Sequence, residues 1–224
     1  MTITQTPSPN FDDRPDGVPV DMLVLHYTGM KTGEEALDRL CDEKAKVSAH
    51  YLVETDGKVF QLVDEEKRAW HAGVSSWRGH TDVNARSIGI EMVNPGHEWG
   101  YRTFPDAQIA QVIKLCQTIL SRHPIPARNV VGHSDVAPAR KEDPGELFPW
   151  EQLAAEGVGL WTADYSPLKD EDIEAMLHRF GYDTRDLGTS LMAFERHFHR
   201  RALHNRDMEK TQQRLCALLD LIDK

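Results

Sequence analysis

The chain reads as an α/β protein: a mixed central β-sheet flanked by helices, followed by a small carboxyl-terminal three-helix bundle. Three observations predict this. Short runs of β-forming residues alternate with stretches of helical periodicity over most of the chain. Two of the strands are joined by an Asp56-Gly57 turn. Beyond about residue 162 only the helical period remains. The expected division is a main unit over residues 1–161 and a helical unit over 162–224, and 224 residues suit one good-sized domain with a smaller second one.

Residues 1–18, rich in Pro, Asp and Asn, read as irregular coil. Residues 22–28 form a short apolar run of β formers, hence a buried strand. Leu37, Leu40 and Cys41 share one side of a helix over residues 34–46. Residues 48–53 and 59–63 are the arms of a hairpin, because Gly57 tolerates the positive φ of its turn. Residues 87–93 are a further strand, closed by Asn94-Pro95-Gly96. Ile109, Val112, Ile113, Cys116, Ile119 and Leu120 make one apolar stripe on a long helix. Thr103 and Asp106 offer its N-terminal cap pair, and Pro124 and Pro126 lie beyond its end. A short strand over 129–133 and a helix over 150–156 complete the main unit. After a linker at 162–167 come helices over 170–180, closed by Gly181, and over 189–199. A last helix buries Leu215, Leu218, Leu219 and Ile222. A bundle of about 55 residues is small for independent stability, so it is expected to lean on the main unit.

The charge balance, 26 − 36 = −10, argues against a nucleic-acid partner, whose phosphates need a cationic surface. No apolar run approaches the ~18 residues of a membrane span. The amino terminus has no basic region, apolar core or small-residue cleavage site of an export signal. Cys41, Cys116 and Cys216 are odd in number and far apart, which fits reduced thiols. Together these predict a cytoplasmic protein.

Among eleven histidines, His26 and His133 each end an apolar strand, where side chains emerge at the sheet rim. Asp143 stands in Lys141-Glu142-Asp143-Pro144-Gly145, where Pro and Gly hold a carboxylate rigidly. Two imidazoles and a carboxylate are an open zinc set, with the fourth position left to water. The competing readings are a strand-end histidine bonded to a carbonyl for His26 and a turn cap for Asp143. His50 and His71 compete as ligands. His50 alternates with Leu52 and reads as a satisfied core histidine, and His71 sits on a loop that can reach substrate. His133-Ser134-Asp135 cannot be a hydrolase triad, since adjacent residues do not converge. His197, His199 and His204 lie among arginines and read as solvated surface. Glu91 is the sharper outlier: a carboxylate inside an apolar strand must be paired, hydrated or functional. Arg86 or Lys141 would be its structural partner, and a general base its functional role. Lys141, two residues before Asp143, can point into the same cavity and stabilise an oxyanion.

Five segments in order resemble the zinc N-acetylmuramoyl-L-alanine amidases of the branch related to peptidoglycan recognition proteins. They are Leu25-His26-Tyr27-Thr28, Val47-Ser48-Ala49-His50-Tyr51, Arg68-Ala69-Trp70-His71-Ala72-Gly73, Ser87-Ile88-Gly89-Ile90-Glu91, and Gly132-His133-Ser134-Asp135 through Gly145. The resemblance covers about residues 8–160. It implies one zinc ion per chain on His26, His133 and Asp143, Glu91 as catalytic acid/base, and Lys141 stabilising the tetrahedral intermediate. It also implies a muropeptide groove lined by Tyr27, Lys46, Trp70, His71, Asn84 and Arg86. The implied reaction cleaves the amide between N-acetylmuramic acid, with the 1,6-anhydro sugar expected, and L-alanine. The carboxyl-terminal helices look like a small peptidoglycan-binding domain, which points to polymer, whereas the expected compartment points to soluble fragments. Two other readings share the fold or the metal: a non-catalytic peptidoglycan-binding protein, and a zinc peptidase cutting within the stem peptide.

Overall fold

A computed structural model describes residues 1–223. Its eight strands are β1 (Ile3–Gln5), β2 (Phe11–Asp13), β3 (Met22–Tyr27), β4 (Tyr51–Val53), β5 (Val59–Gln61), β6 (Lys67–Ala69), β7 (Ser87–Met92) and β8 (Val130–Gly132). Six of them form one sheet in the order β1-β5-β4-β7-β3-β8, and β2 and β6 form a separate antiparallel ribbon. In the large sheet only the β4–β5 hairpin is antiparallel, so the sheet is mixed, as the alternating pattern predicted.

Side-chain alternation along the central strands builds two layers. Leu23 and Leu25 of β3 and Ile88, Ile90 and Met92 of β7 point to one face, where the Asp106–Leu120 helix lays down Ile109, Val112, Ile113, Cys116 and Ile119. Met22 and Val24 of β3 and Val131 of β8 point to the other face, against the carboxyl-terminal helices Ile173–Phe180, Leu187–Phe198 and Met208–Ile222. That shared core contains Met176, Leu177, Phe180, Phe194, Leu215 and Leu219 alongside Trp77 of the main unit. The bundle therefore buries its apolar face on the sheet rather than standing alone. At the junction, Gly181 has φ +144°, and a Cβ there would lie 2.9 Å from the Trp77 ring. Farther along the same sheet face, Leu52 packs with Ala36 and Leu40 of the Gly33–Cys41 helix.

Several expectations are corrected. The segment read as coil through residue 18 contains β1 and β2, whose exposed side chains carry no periodic signal and whose order comes from pairing with β5 and β6. The helix expected over 34–46 stops at Cys41, because Asp42 turns to extended backbone and caps a separate 3-10 turn, Glu43–Ala45. Pro105, not Thr103, occupies the N-cap of the long helix, without a side-chain cap bond. His197 and His199 are buried, not solvated. No helix among the described residues is long and apolar enough to cross a membrane.

Candidate active site

Parallel strands bring their carboxyl ends to one rim, and that rim carries the site. His26, near the end of β3, lies beside Glu91 of β7 in the ladder, and His133 follows Gly132, which pairs with Leu25. By alternation these side chains share the sheet face with the bundle and the Gly33–Cys41 helix, and the cleft opens beside that helix, between Ala36, Arg39 and Leu40 and the Arg140–Asp143 segment. It has a volume of about 420 Å³ and is lined in part by Tyr27, Met30, His71, Glu91, His133, Lys141 and Asp143.

His26, His133 and Asp143 are all buried and converge. His26 Nδ1 is 3.0 Å from His133 Nδ1, and these atoms lie 3.1 and 3.0 Å from Asp143 Oδ2. The outer hydrogen bonds decide where the ring protons sit. His133 Nε2 faces the Ala72 carbonyl at 3.1 Å and must donate to it, leaving Nδ1 a bare lone pair. The Ser87 hydroxyl donates to the Val83 carbonyl at 2.7 Å, so its oxygen accepts from His71 Nε2–H at 3.1 Å. His71 Nδ1 is then the acceptor for His26 Nε2–H at 3.0 Å, and His26 Nδ1 is bare as well. Burial, reinforced by His133, pulls His26 down to about 4, so its ring is neutral at pH 7. Asp143, a carboxylate at neutral pH, turns Oδ2 toward both of these bare nitrogens. Three acceptors thus face one another without a proton between them. Such a set repels itself unless a cation sits among them, and two imidazoles with a carboxylate are ordinary zinc donors.

The supporting residues have identifiable causes. His71 lies behind His26 because residue 89 is glycine: a Cβ there would come within 2.5 Å of the His71 ring. Asn84 Oδ1 accepts the backbone N–H groups of His71 (3.1 Å) and Ala72 (2.8 Å), which fixes the loop carrying both. Arg140 donates to the carbonyls of Ala72 (2.9 Å) and Val74 (3.0 Å), beside the His133 contact. His50 accepts from Gly89 N–H at 2.9 Å and faces the Lys67 carbonyl at 3.0 Å, the satisfied core histidine that was expected.

Glu91 Oε2 is buried with no hydrogen-bond partner. Burial pushes its pKa well above the ordinary carboxylate value, with Asp143 adding to the effect and Lys141 opposing it. Arg86 is not its partner, because Arg86 is bound to Asp21 at the start of β3. Lys141 lines the same cleft and forms no ion pair among the described residues. Tyr27 stands at the rim, its hydroxyl 2.9 Å from His97 Nδ1, and burial pushes its phenol up to about 12.

The cleft therefore gathers Tyr27, His71, Glu91, His133, Lys141 and Asp143, with His26 beneath them. Lys46, Trp70, Asn84 and Arg86 lie outside its walls. Asn84 and Arg86 hold scaffold instead, and Lys46 sits in a left-handed turn just before Val47, which does line the cleft. Arg140 and His97 were missed, since a lone charge in a turn or an imidazole in a single helical turn, Gly96–Trp99, carries no periodic signal.

A buried His-His-Asp cluster beside an orphaned carboxylate is the donor set of a metal-dependent hydrolase. The sequence profile of Amidase_2 (N-acetylmuramoyl-L-alanine amidase) matches residues 16–146, and the chain belongs to that family. It is similar to N-acetylmuramoyl-L-alanine amidase AmiD of Escherichia coli, 38% identical over 89% of this chain and 82% of the relative. It also resembles 1,6-anhydro-N-acetylmuramyl-L-alanine amidase AmpD of Escherichia coli, 37% identical over 66% of this chain and 88% of the relative. The solved Escherichia coli AmiD complex with anhydro-N-acetylmuramic acid-L-Ala-D-gamma-Glu-L-Lys superposes with a TM-score of 0.78 at 37% identity, covering 92% of this chain and 91% of that one.

Proposed function

We propose that this protein hydrolyses the amide joining N-acetylmuramic acid, in its 1,6-anhydro form, to the L-alanine of a peptidoglycan stem peptide. His26, His133 and Asp143 would hold one zinc ion. The observation that carries the reading is the orphaned Glu91 carboxylate, beside His26 in the sheet and facing the cleft of a proton-free three-acceptor cluster. Zinc bound there supplies a Lewis acid and brings the pKa of a water to roughly 7. Glu91 accepts the proton of the attacking water, and the Lys141 ammonium stabilises the oxyanion as the carbonyl carbon becomes tetrahedral. Glu91 then returns that proton to the alanine nitrogen as the C–N bond breaks, leaving a muramic carboxylate and a peptide with a free amino end. Tyr27 and His71 border the space the substrate occupies, His71 also holding His26 in its tautomer.

The soluble anhydro fragment is favoured over polymer by the ligand in the similar AmiD complex. A catalytic unit over residues 1–161 and a helical unit over 162–224 fit the match to the shorter AmpD relative. A cytoplasmic location is supported by Cys41, Cys116 and Cys216, all free thiols. A non-catalytic binding protein of the same fold has no use for an unpartnered carboxylate at the metal cluster.

The test is chelator-stripped protein, titrated with zinc and given anhydromuropeptide and intact sacculi in parallel, with products read by mass spectrometry. Activity should return at one zinc per chain, releasing an intact peptide that begins at alanine. Zinc-loaded protein that leaves the muropeptide whole, or cuts inside the stem, overturns the reading.

A further inference from the structure

Asp135 is 1% exposed and lies two residues after His133 on the single helical turn His133–Val136. Its carboxylate is fully engaged. Oδ2 accepts the Gly132 N–H at 2.7 Å, a local bond that closes the turn. The other two donors come from the carboxyl-terminal unit, Tyr182 just after the Ile173–Phe180 helix and His197 near the end of Leu187–Phe198. Tyr182 Oη–H donates to Oδ1 at 2.6 Å, and His197 Nδ1 lies 2.7 Å from Oδ2. Both donors are themselves held. Tyr182 packs edge-on to Trp77 at 5.1 Å, and the His197 ring stacks on Trp150 and on Phe198, each at 3.7 Å between centroids. The turn is also tied directly to the site, since Ser134 N–H donates to the Asp143 carbonyl at 2.8 Å.

We infer that the carboxyl-terminal bundle is a positioning element of the metal site: through Tyr182 and His197 it clamps Asp135 and so sets the pose of the turn that presents His133. A buried carboxylate demands donors, and without these two it keeps only the Gly132 bond. Ligand side chains need support to within about 0.5 Å to hold a metal well, and the turn carrying His133 gains that support from residues 47 and 62 positions downstream of Asp135. Neither Tyr182 nor His197 lines the cleft, and the side-chain hydrogen bonds of both go to Asp135. A bundle that served only to grip glycan would alter polymer binding and leave metal affinity alone.

This inference rests on the zinc reading above, and its test keeps the two separable. Full-length Tyr182→Phe, His197→Leu and the double variant are compared with wild type and with His197→Asn, whose amide restores an N–H donor. Zinc affinity is measured by chelator competition, the geometry of the site by the visible spectrum of the cobalt-substituted protein, and kcat and KM on soluble anhydromuropeptide. The double variant should bind zinc about 10-fold more weakly, the lower end for outer supporting groups. It should also shift the cobalt spectrum and lower kcat with KM nearly unchanged, and His197→Asn should track wild type. Should His197→Leu fail to fold, Tyr182→Phe alone removes a single oxygen and reads the same link by zinc affinity and spectrum. Wild-type zinc affinity and an unaltered cobalt spectrum in the folded variants overturn the inference. A wild-type chain that binds no zinc overturns the reading beneath it.

Discussion

Two glutamates of the same sheet region lead opposite lives. Glu65, in the turn after β5, is held by Tyr51 Oη–H at 2.7 Å, by His123 Nε2 at 2.7 Å and by Arg122. Burial pushes its carboxyl up, yet the hydrogen bonds of Arg122, His123 and Tyr51 outweigh it, and the net shift is downward. Glu91, in β7, has an oxygen with no partner, and its shift is strongly upward. One site is saturated with donors and stabilises the fold. The other is left short of them beside a cleft, where reacting groups can complete it. Incomplete satisfaction, more than residue type, marks the chemistry.

Substitution at Glu91 tests that contrast most severely. Glu91→Gln should lower turnover by ~10²–10⁴-fold while the zinc content stays at wild type, read by steady-state assay and metal analysis. The same change should stabilise the metal-free protein near pH 8. A raised folded pKa means that ionising Glu91 costs the native state as pH climbs, so the advantage of the amide shrinks as pH falls toward the ordinary carboxylate value. Thermal melts of the metal-free pair across pH measure it, and equal melting temperatures at pH 8 would break the comparison. Lys141→Met should cost ~10²–10³-fold in kcat with zinc retained, as removal of one oxyanion donor does. A loss confined to KM would instead make Lys141 a binding group.

Glu65→Gln is the smallest effect and the mirror image. Turnover should be unchanged, and stability at pH 7 should fall by about 1–3 kcal/mol in urea unfolding, for donors left half-paired. Because the folded pKa is depressed, this contribution is present above the ordinary carboxylate value and lost as pH drops through the folded one. The urea midpoints of variant and wild type should therefore converge in acid. Reduced kcat in this variant would erase the distinction between the two carboxylates.

Much of the fold is legible in local pattern. The apolar runs of β3, β7 and β8 and the stripe of the Asp106–Leu120 helix report burial, which is what periodicity encodes. Edge pairing is silent: β1 and β2 have mostly exposed side chains and are ordered by partners elsewhere in the chain. Arg14, set in a stretch read as coil, donates to the carbonyls of Glu65, Asn84, Ala85 and Ser87, and no spacing rule anticipates that. Of the site, residues at strand ends and in the Asp143 turn could be named in advance. The groove residues Asn84 and Arg86 could not be placed, because a polar side chain near a motif can equally face a cleft or bind its own backbone.

Residue types and their order were enough to nominate His26, His133, Asp143 and Glu91, since the first two end apolar strands, Glu91 interrupts one, and Asp143 stands in a turn held by Pro144 and Gly145. Whether the four share one cavity, which ring nitrogens are bare, and that Asp135 is clamped by Tyr182 and His197 were settled by packing alone. The reason is physical: the periodicity of apolar residues reports which faces are buried, whereas a polar side chain's burial and hydrogen-bond partners come from whichever distant segments the sheet and bundle bring within about 3 Å.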